Sequence, residues 1–322
     1  MVRGFVTPLC LSVLFSISAA AQPPATIVPR SRPAASGGSE PRGILRADSS
    51  LVVIPAWVTT STGRSVTSLT QEDFRLTEDN VEQRITYFAK DDAPLSIGLL
   101  FDTSGSMRNK IDKASESLAE FFKTANREDE FFLVEFNDRA KLTIPFTRDA
   151  GEIYNRAAHT KPVGRTSLLD GIGVALKQMK KARHLRKALV IISDGGDNWS
   201  WHTVRQIREE LLESDVQLYA MGIFDREFSK KSPSEERRGP TLLDELAEKT
   251  GGRQYPVGDL NDLPVISAKI GSDLRNEYLL GYYPVDSRDG RYHHVKVNLA
   301  VPDNMPPLRA NYRRGYYASP PE

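Results

Sequence analysis

Three oxygen-bearing side chains stand at alternate positions where an apolar run stops. The sequence from residue 95 reads LSIGLLF, and Asp102, Ser104 and Ser106 follow it within DTSGSM. A tight loop aims all three oxygens at one point, and Gly105 lets the backbone turn there without a side-chain clash. Two further candidates lie far along the chain. Thr166 sits in GRTSLLDGI just before a helical pattern, and Asp194 closes the strand-like run VIISDGG. Two carboxylates and three hydroxyls make an all-oxygen set of the kind hard divalent cations take, whereas zinc and copper favour His or Cys. Two negative charges against a dication leave room for one more carboxylate, supplied by another molecule at an open position. Taken alone, DTSGS also reads as a helix N-cap satisfying free backbone N–H groups.

These five residues converge only if neighbouring parallel strands end together, and the surrounding sequence predicts that. LSIGLLFD, EFFLVEFN, KALVIISDG and VQLYAMGIF are near-continuous apolar runs, as strands buried on both faces are. Helical stretches separate them, over residues 107–125, 167–182, 201–214 and 242–249; in the first, Ile111, Leu118, Phe121 and Phe122 recur at helical spacing. KLTIPFT follows EFFLVEFNDRA across a short Asn-Asp turn and reads as an antiparallel edge strand. GGRQYPV adds a last strand, and residues 259–275 a helix. The expected class is α/β: a doubly wound, mostly parallel sheet with one antiparallel edge strand, whose ligand site lies at the carboxyl ends of the strands.

Thin β units flank this region. LVVIPAWVTT is followed by an STGR turn. Thr70 and Asp73 then cap a single helical turn, and two strands surround the turn Glu78-Asp79-Asn80, with alternation at Phe74, Leu76 and Ile85, Tyr87. After residue 276 come EYLLGYYPV, RYHHVKVNLAV and PLRANYRRGYYA, the first two joined through the Asp-Gly-containing stretch DSRDG. Each unit is too small to stand alone. The two are therefore expected to pair into one small β-sandwich with the α/β part inserted between. The expected organisation is 1–21 signal peptide, 22–47 Pro/Ser/Gly-rich tether, 48–92 first β unit, 93–275 α/β domain and 276–318 second β unit.

The N-terminus carries Arg3, an apolar stretch from Phe5 to Ile17 and the small residues Ala19-Ala20-Ala21, the pattern of a cleaved secretory signal. The apolar stretch is short of the roughly 20 residues a membrane span needs, and no other span is expected; retention as an anchor is the competing reading. The expected location is secreted or periplasmic. Cys10, the single cysteine among 322 residues, lies in the signal, so the exported chain uses no disulfide and relies on a packed core. With 43 basic against 42 acidic residues and a net charge of +1, the chain lacks the basic excess of a nucleic-acid binder.

Asp102-x-Ser104-x-Ser106 with Thr166 and Asp194 resembles the metal-ion-dependent adhesion site of von Willebrand factor type A domains, and all five motif positions are filled. The resemblance covers roughly residues 95–272. It implies that Ser104, Ser106 and Thr166 ligate Mg²⁺ (or Mn²⁺ or Ca²⁺) directly, that Asp102 and Asp194 do so directly or through water, and that the ligand is a protein presenting an acidic side chain. The flanks, in LTQEDFRLTEDNVEQRITYFAK and LRNEYLLGYYPV…RRGYYA, resemble a group of exported bacterial proteins, of acidobacterial type, related to von Willebrand factor type A proteins.

The remaining candidates read more plainly. His293 and His294 are adjacent, so on a strand they face opposite ways and do not share one metal; His159, His184 and His202 are scattered. Asp170 reads as a helix-surface residue, with a supporting hydrogen bond behind the site as the alternative, and Asp197 with Asn198 as a turn, with an outer shell around the site as the alternative. Arg165 and Trp199 border the site and read either as a partner contact or as loop surface. The chain lacks a Gly-x-Ser-x-Gly nucleophile turn, a phosphate loop and a visible general base beside the oxygen set. The expectation is a non-enzymatic, exported, metal-dependent adhesion-type module. The alternative is a structural or envelope-assembly protein whose metal only stabilises loops.

Overall fold

The computed structural model describes residues 51–90, 92–194, 196–224, 238–284, 289–300 and 306–319. The signal and tether stretches, most of the polar insertion 226–239 and most of DSRDG lie outside the described residues. The described chain begins with β1 (Val52–Thr60), β2 (Phe74–Glu78), β3 (Val81–Gln83) and β4 (Tyr87–Ala89). A 3₁₀ turn, Gln71–Asp73, precedes β2 and is closed by the predicted Thr70–Asp73 capping box.

The α/β part follows: β5 (Leu95–Asp102), α1 (Ile111–Phe122), β6 (Glu130–Phe136), β7 (Ala140–Thr147), α2 (Ala150–Ala158), α3 (Leu168–Met179), β8 (Arg186–Ser193), α4 (Val204–Glu213), β9 (Gln217–Ile223), α5 (Gly239–Lys249), β10 (Arg253–Val257) and α6 (Leu263–Arg275). Its six strands are ordered β10-β9-β8-β5-β6-β7, all parallel except β7, which runs antiparallel on β6 at the edge. β5, β6 and β9 are buried along their whole lengths, and β8 at all but half-buried Lys187, because helices cover both faces. Ile111, Leu118 and Phe121 of α1 join Ile153 of α2 and Ile270 of α6 over one face. Leu168 and Ile172 of α3, Ile207 of α4 and Leu243 of α5 pack on the other. Helix α2 escaped the sequence reading. Its buried stripe is limited to Ile153 and Ala157, although Asp149 N-caps it by accepting from the amides of Gly151 and Glu152.

The chain ends with β11 (Tyr278–Tyr282), β12 (Tyr292–Leu299), β13 (Leu308–Tyr312) and β14 (Gly315–Tyr317). N- and C-terminal strands interleave in two four-stranded sheets, β13-β1-β11-β4 and β14-β12-β2-β3, as expected of one sandwich. Ile54, Phe74, Leu76, Tyr278, Tyr282, Val295 and Tyr316 fill the space between them. β11 and β12, joined through DSRDG, belong to opposite sheets. One detail differs from expectation. The strand expected through Ile85 and Tyr87 breaks after Gln83; Ile85 is buried in the connection, and exposed Tyr87 opens β4 in the other sheet.

One buried side chain ties the two architectures together. Arg186, at the start of β8, donates to Ala93 O (3.0 Å), to Leu274 O and to Glu277 Oε2 (2.8 Å). Ala93 and Glu277 mark where the chain leaves the sandwich and returns to it. Arg275 adds bonds to Asp92 (2.7 Å) and Asp129 (3.0 Å).

Candidate metal centre

Asp102 is the last residue of β5 and is completely buried. The flanking strands are parallel to β5, so their carboxyl ends open on the same side of the sheet. Asp102 Oδ1 accepts the Ser104 amide at 2.8 Å, and Oδ2 accepts the Ser193 hydroxyl at 2.6 Å. The first bond folds the loop back on the strand end; the second joins β5 to the end of β8. Ser104 then starts a 3₁₀ turn, Gly105–Met107, in place of the helix expected from residue 107, and α1 proper begins at Ile111.

The predicted oxygens form a connected series. Ser104 Oγ and Ser106 Oγ share a hydrogen bond of 2.9 Å, and Ser106 Oγ donates to Asp194 Oδ1 at 3.0 Å. Asp102, Ser104, Ser106 and Asp194 are thus brought together although 92 positions separate the first from the last. The loop that carries Thr166 is laid beside this series through its backbone, and among the described residues no hydrogen bond joins the Thr166 hydroxyl to it. Gly105 N donates to Gly164 O (2.9 Å) and Val163 N to Thr103 O (2.8 Å), which lays the Thr166 loop against the serine loop. On the other side, Asn198 N and Trp199 N both donate to Thr166 O (3.0 and 3.1 Å), and Thr166 N donates to Asn198 Oδ1 (3.0 Å). Thr166 is buried with its loop pinned on both sides.

The electrostatics fit a cation. Burial, reinforced by the neighbouring charge of Asp194, pushes the Asp102 carboxyl up to about 7. A nearby ion with two positive charges favours the charged form of Asp102 against both causes. The oxygen-only donor set matches a hard dication. One cation is already engaged: Lys110 Nζ lies 2.8 Å from Asp194 Oδ2. Sequence reasoning missed Lys110 and Ser193, since neither stands at a motif position.

The supporting residues have definite roles. Asp197 Oδ1 accepts the Leu169 amide at the start of α3 and the Ser200 hydroxyl, so it caps a helix from outside rather than merely turning the chain. Asp170 is not a free helix-surface residue as expected: it accepts the amides of Trp201 and His202 and the His202 ring, fixing the loop after β8. At the rim, the Arg165 guanidinium lies over the Trp199 ring at 3.8 Å, and Trp201 is 92% exposed.

Elsewhere, His293 and His294 face opposite ways as expected, yet His293 meets two acidic residues of the β2–β3 turn, Glu78 and Asp79. Adjacent-residue reasoning could not find this group, because its members come from opposite ends of the chain.

A model of the von Willebrand factor type A domain matches residues 97–196. A protein of Borreliella burgdorferi described as uncharacterized is 28% identical over 189 residues, which span 52% of this chain and 55% of that relative. The chain therefore matches about half the length of this curated relative. Among solved structures, a von Willebrand factor type A protein from Catenulispora acidiphila is similar at TM-score 0.50 and 14% identity, over 77% of this chain and 63% of the other. Proximal thread matrix protein 1 from the mussel byssus, solved with its adhesion-site motif occupied by zinc, is similar at TM-score 0.50 and 17% identity, over 62% and 50%. Both structures share the fold with this chain. Among the described residues, no helix is long and apolar enough to cross a membrane.

Proposed function

This chain belongs, through residues 97–196, to the von Willebrand factor type A family, and on that premise we propose that it is an exported binding module whose Asp102, Ser104, Ser106, Thr166 and Asp194 hold a divalent cation that captures an acidic group of a protein partner. The observation that carries the reading is the unbroken series from Asp102 through Ser104 and Ser106 to Asp194, with the Asp102 carboxyl raised by burial and by the Asp194 charge. The residues would hold Mg²⁺, with Mn²⁺ or Ca²⁺ able to replace it, and the ion would supply a Lewis-acidic position for the partner's carboxylate. The zinc found in the mussel protein's motif makes Zn²⁺ a required competitor in any titration. Binding rather than catalysis is the proposed reading, supported by serine hydroxyls that bond to each other and to Asp194 and, among the described residues, to no imidazole. Export rests on the N-terminal pattern of Arg3, the apolar stretch and the alanines.

Calorimetric titration of the metal-stripped protein with Mg²⁺ tests the site. One bound equivalent, lost in Asp102→Ala, is expected; no uptake, or unchanged uptake in the variant, overturns it. One observation bears on the structural alternative, in which a metal, if present, only stabilises loops, and it favours the form of that reading that needs no ion. Lys110 already neutralises Asp194, so the loops have a cation of their own. Crosslinking capture from the native envelope, with magnesium and with chelator, separates the two, because only the adhesion reading predicts chelator-sensitive capture.

A further inference from the structure

We propose a second metal site, built in the sandwich rather than the α/β part by Glu78, Asp79 and His293, which takes a divalent transition metal of the zinc class. Glu78 ends β2, and Asp79 and Asn80 make the turn to β3 with φ of 46° and 68°. His293 lies on β12, the strand that pairs with β2. Its Nδ1 stands 2.9 Å from Asp79 Oδ2 and 3.0 Å from Glu78 Oε1. One ligand atom from each of the three residues lies within 4.8 Å of the others. A small outward adjustment of a few tenths of an ångström fits an ion with bonds of about 2.0–2.2 Å.

The surrounding groups are arranged as around a metal-binding imidazole. His293 Nε2 stands 3.0 Å from Asp289 Oδ1, so an N–H there fixes the tautomer that turns the Nδ1 lone pair toward Glu78 and Asp79. The Tyr316 hydroxyl donates to Glu78 Oε1 at 3.0 Å, and the Tyr316 ring stacks on the imidazole with centroids 5.6 Å apart. Asp79 Oδ1 accepts the His294 amide, which leaves Oδ2 for the centre.

A second sign of an incompletely satisfied group is Glu78 Oε2, which is buried and makes no well-formed hydrogen bond among the described residues; the neighbouring buried Tyr282 hydroxyl is in the same condition, and such a carboxylate oxygen is expensive to bury. Three carboxylates face one imidazole, and a proton on Nδ1 leaves that oxygen unanswered. A dication in place of the Nδ1 proton engages Glu78, Asp79 and His293 together. The nitrogen ligand selects a borderline metal over Mg²⁺, and exposed Asp79 leaves one side open to water. Such an ion would staple the β2–β3 turn to β12, and with it the N-terminal to the C-terminal part of the sandwich.

The test uses the full exported chain without a histidine tag, stripped of metal and carrying Asp102→Asn to silence the first site. Titration with Co²⁺, read by visible d–d absorption, is expected to show one bound equivalent, and Zn²⁺ is expected to displace it and raise Tm. Adding H293Q abolishes the bands. D79N, on an exposed turn where Asn suits the left-handed backbone, keeps the fold and weakens binding at least about tenfold, and D289N weakens it about 10–100-fold. Absence of Co²⁺ bands in the Asp102→Asn chain, or equal uptake by the folded D79N variant, overturns the site and leaves a protonated histidine among carboxylates. The same result leaves the Mg²⁺ reading untouched.

Discussion

The ammonium of Lys110 stands 2.8 Å from Asp194 Oδ2, on the carboxylate whose other oxygen accepts from Ser106. Both side chains are largely buried, at 11% and 5% exposure, so the pair is weakly screened. An incoming dication must compete with this ammonium for Asp194 or share the carboxylate with it.

Replacing Lys110 by Met keeps the stem and removes the charge. Without metal, Asp194 is left beside Asp102 with no counter-charge, and Tm falls, since breaking a buried pair costs about 3–5 kcal/mol at most. With the competitor gone, Mg²⁺ affinity rises about tenfold or more. Calorimetry and melting curves with and without Mg²⁺ check both. Unchanged affinity in a folded Lys110→Met protein means the ammonium and the metal do not meet.

Asp102 sets the pH dependence. Its folded-state carboxyl is raised to about 7 by burial and by Asp194, from 3.8. The folded, metal-free protein therefore holds a proton that the unfolded chain has already released above about pH 4. Stability contributed by this group is present at low pH and is lost as pH rises through about 7. Metal binding has the opposite trend, because the ion must displace the proton. Mg²⁺ affinity climbs about tenfold per pH unit below about 7 and levels off above it. Mg²⁺ titrations between about pH 5 and about pH 8 check the affinity trend, and metal-free melting curves over the same range check the stability trend, which Asp102→Asn removes.

Much of this was legible in the sequence because the signals are local or periodic. Fully apolar runs announce strands buried on both faces, and Asp102, Ser104 and Ser106 announce a loop at a strand end. The pairing of the flanks into one sandwich followed from their being too small to stand alone. What was not legible depends on the third dimension. Helix α2 buries so little that its pattern is faint. The break between β3 and β4, and the placement of β11 and β12 in different sheets, are decided by which sheet has room. Lys110, Ser193 and the Arg186 junction act across 84 to 91 positions, and no spacing rule reaches that far. Glu78 and His293 lie farther apart still.

Gly164 controls how Thr166 is delivered. Its φ of +84° lies in the left-handed region, and a Cβ there would run into the Asp138 carboxylate, which accepts the Arg165 amide at 2.9 Å. The Gly164 carbonyl in turn accepts from Gly105. Gly164→Val is expected to cost about 1–3 kcal/mol through backbone strain. It also displaces the Thr166 loop from the serine loop, lowering Mg²⁺ affinity together with Tm. A Gly164→Val protein that binds Mg²⁺ as the parent does would separate Thr166 from the ion.

The rim offers the cleanest separation of metal binding from partner binding. Arg165 stacks on Trp199 at 3.8 Å, and the Trp199 ring is 46% exposed beside the loop that carries Thr166. Trp199 serves that loop through its backbone amide, which donates to Thr166 O, so truncating the indole leaves the support in place. An Arg beside an exposed Trp is also the composition of an interface anchor, and the guanidinium is suited to a partner carboxylate approaching the ion. Trp199→Ala and Arg165→Ala are therefore expected to leave Mg²⁺ titrations within about twofold of the parent. Chelator-sensitive capture of the partner should fall at least about tenfold, the scale of an interface hot spot. Metal binding lost together with capture would make the pair part of the loop scaffold; capture unchanged in both variants would move the partner's footprint to another side of the ion.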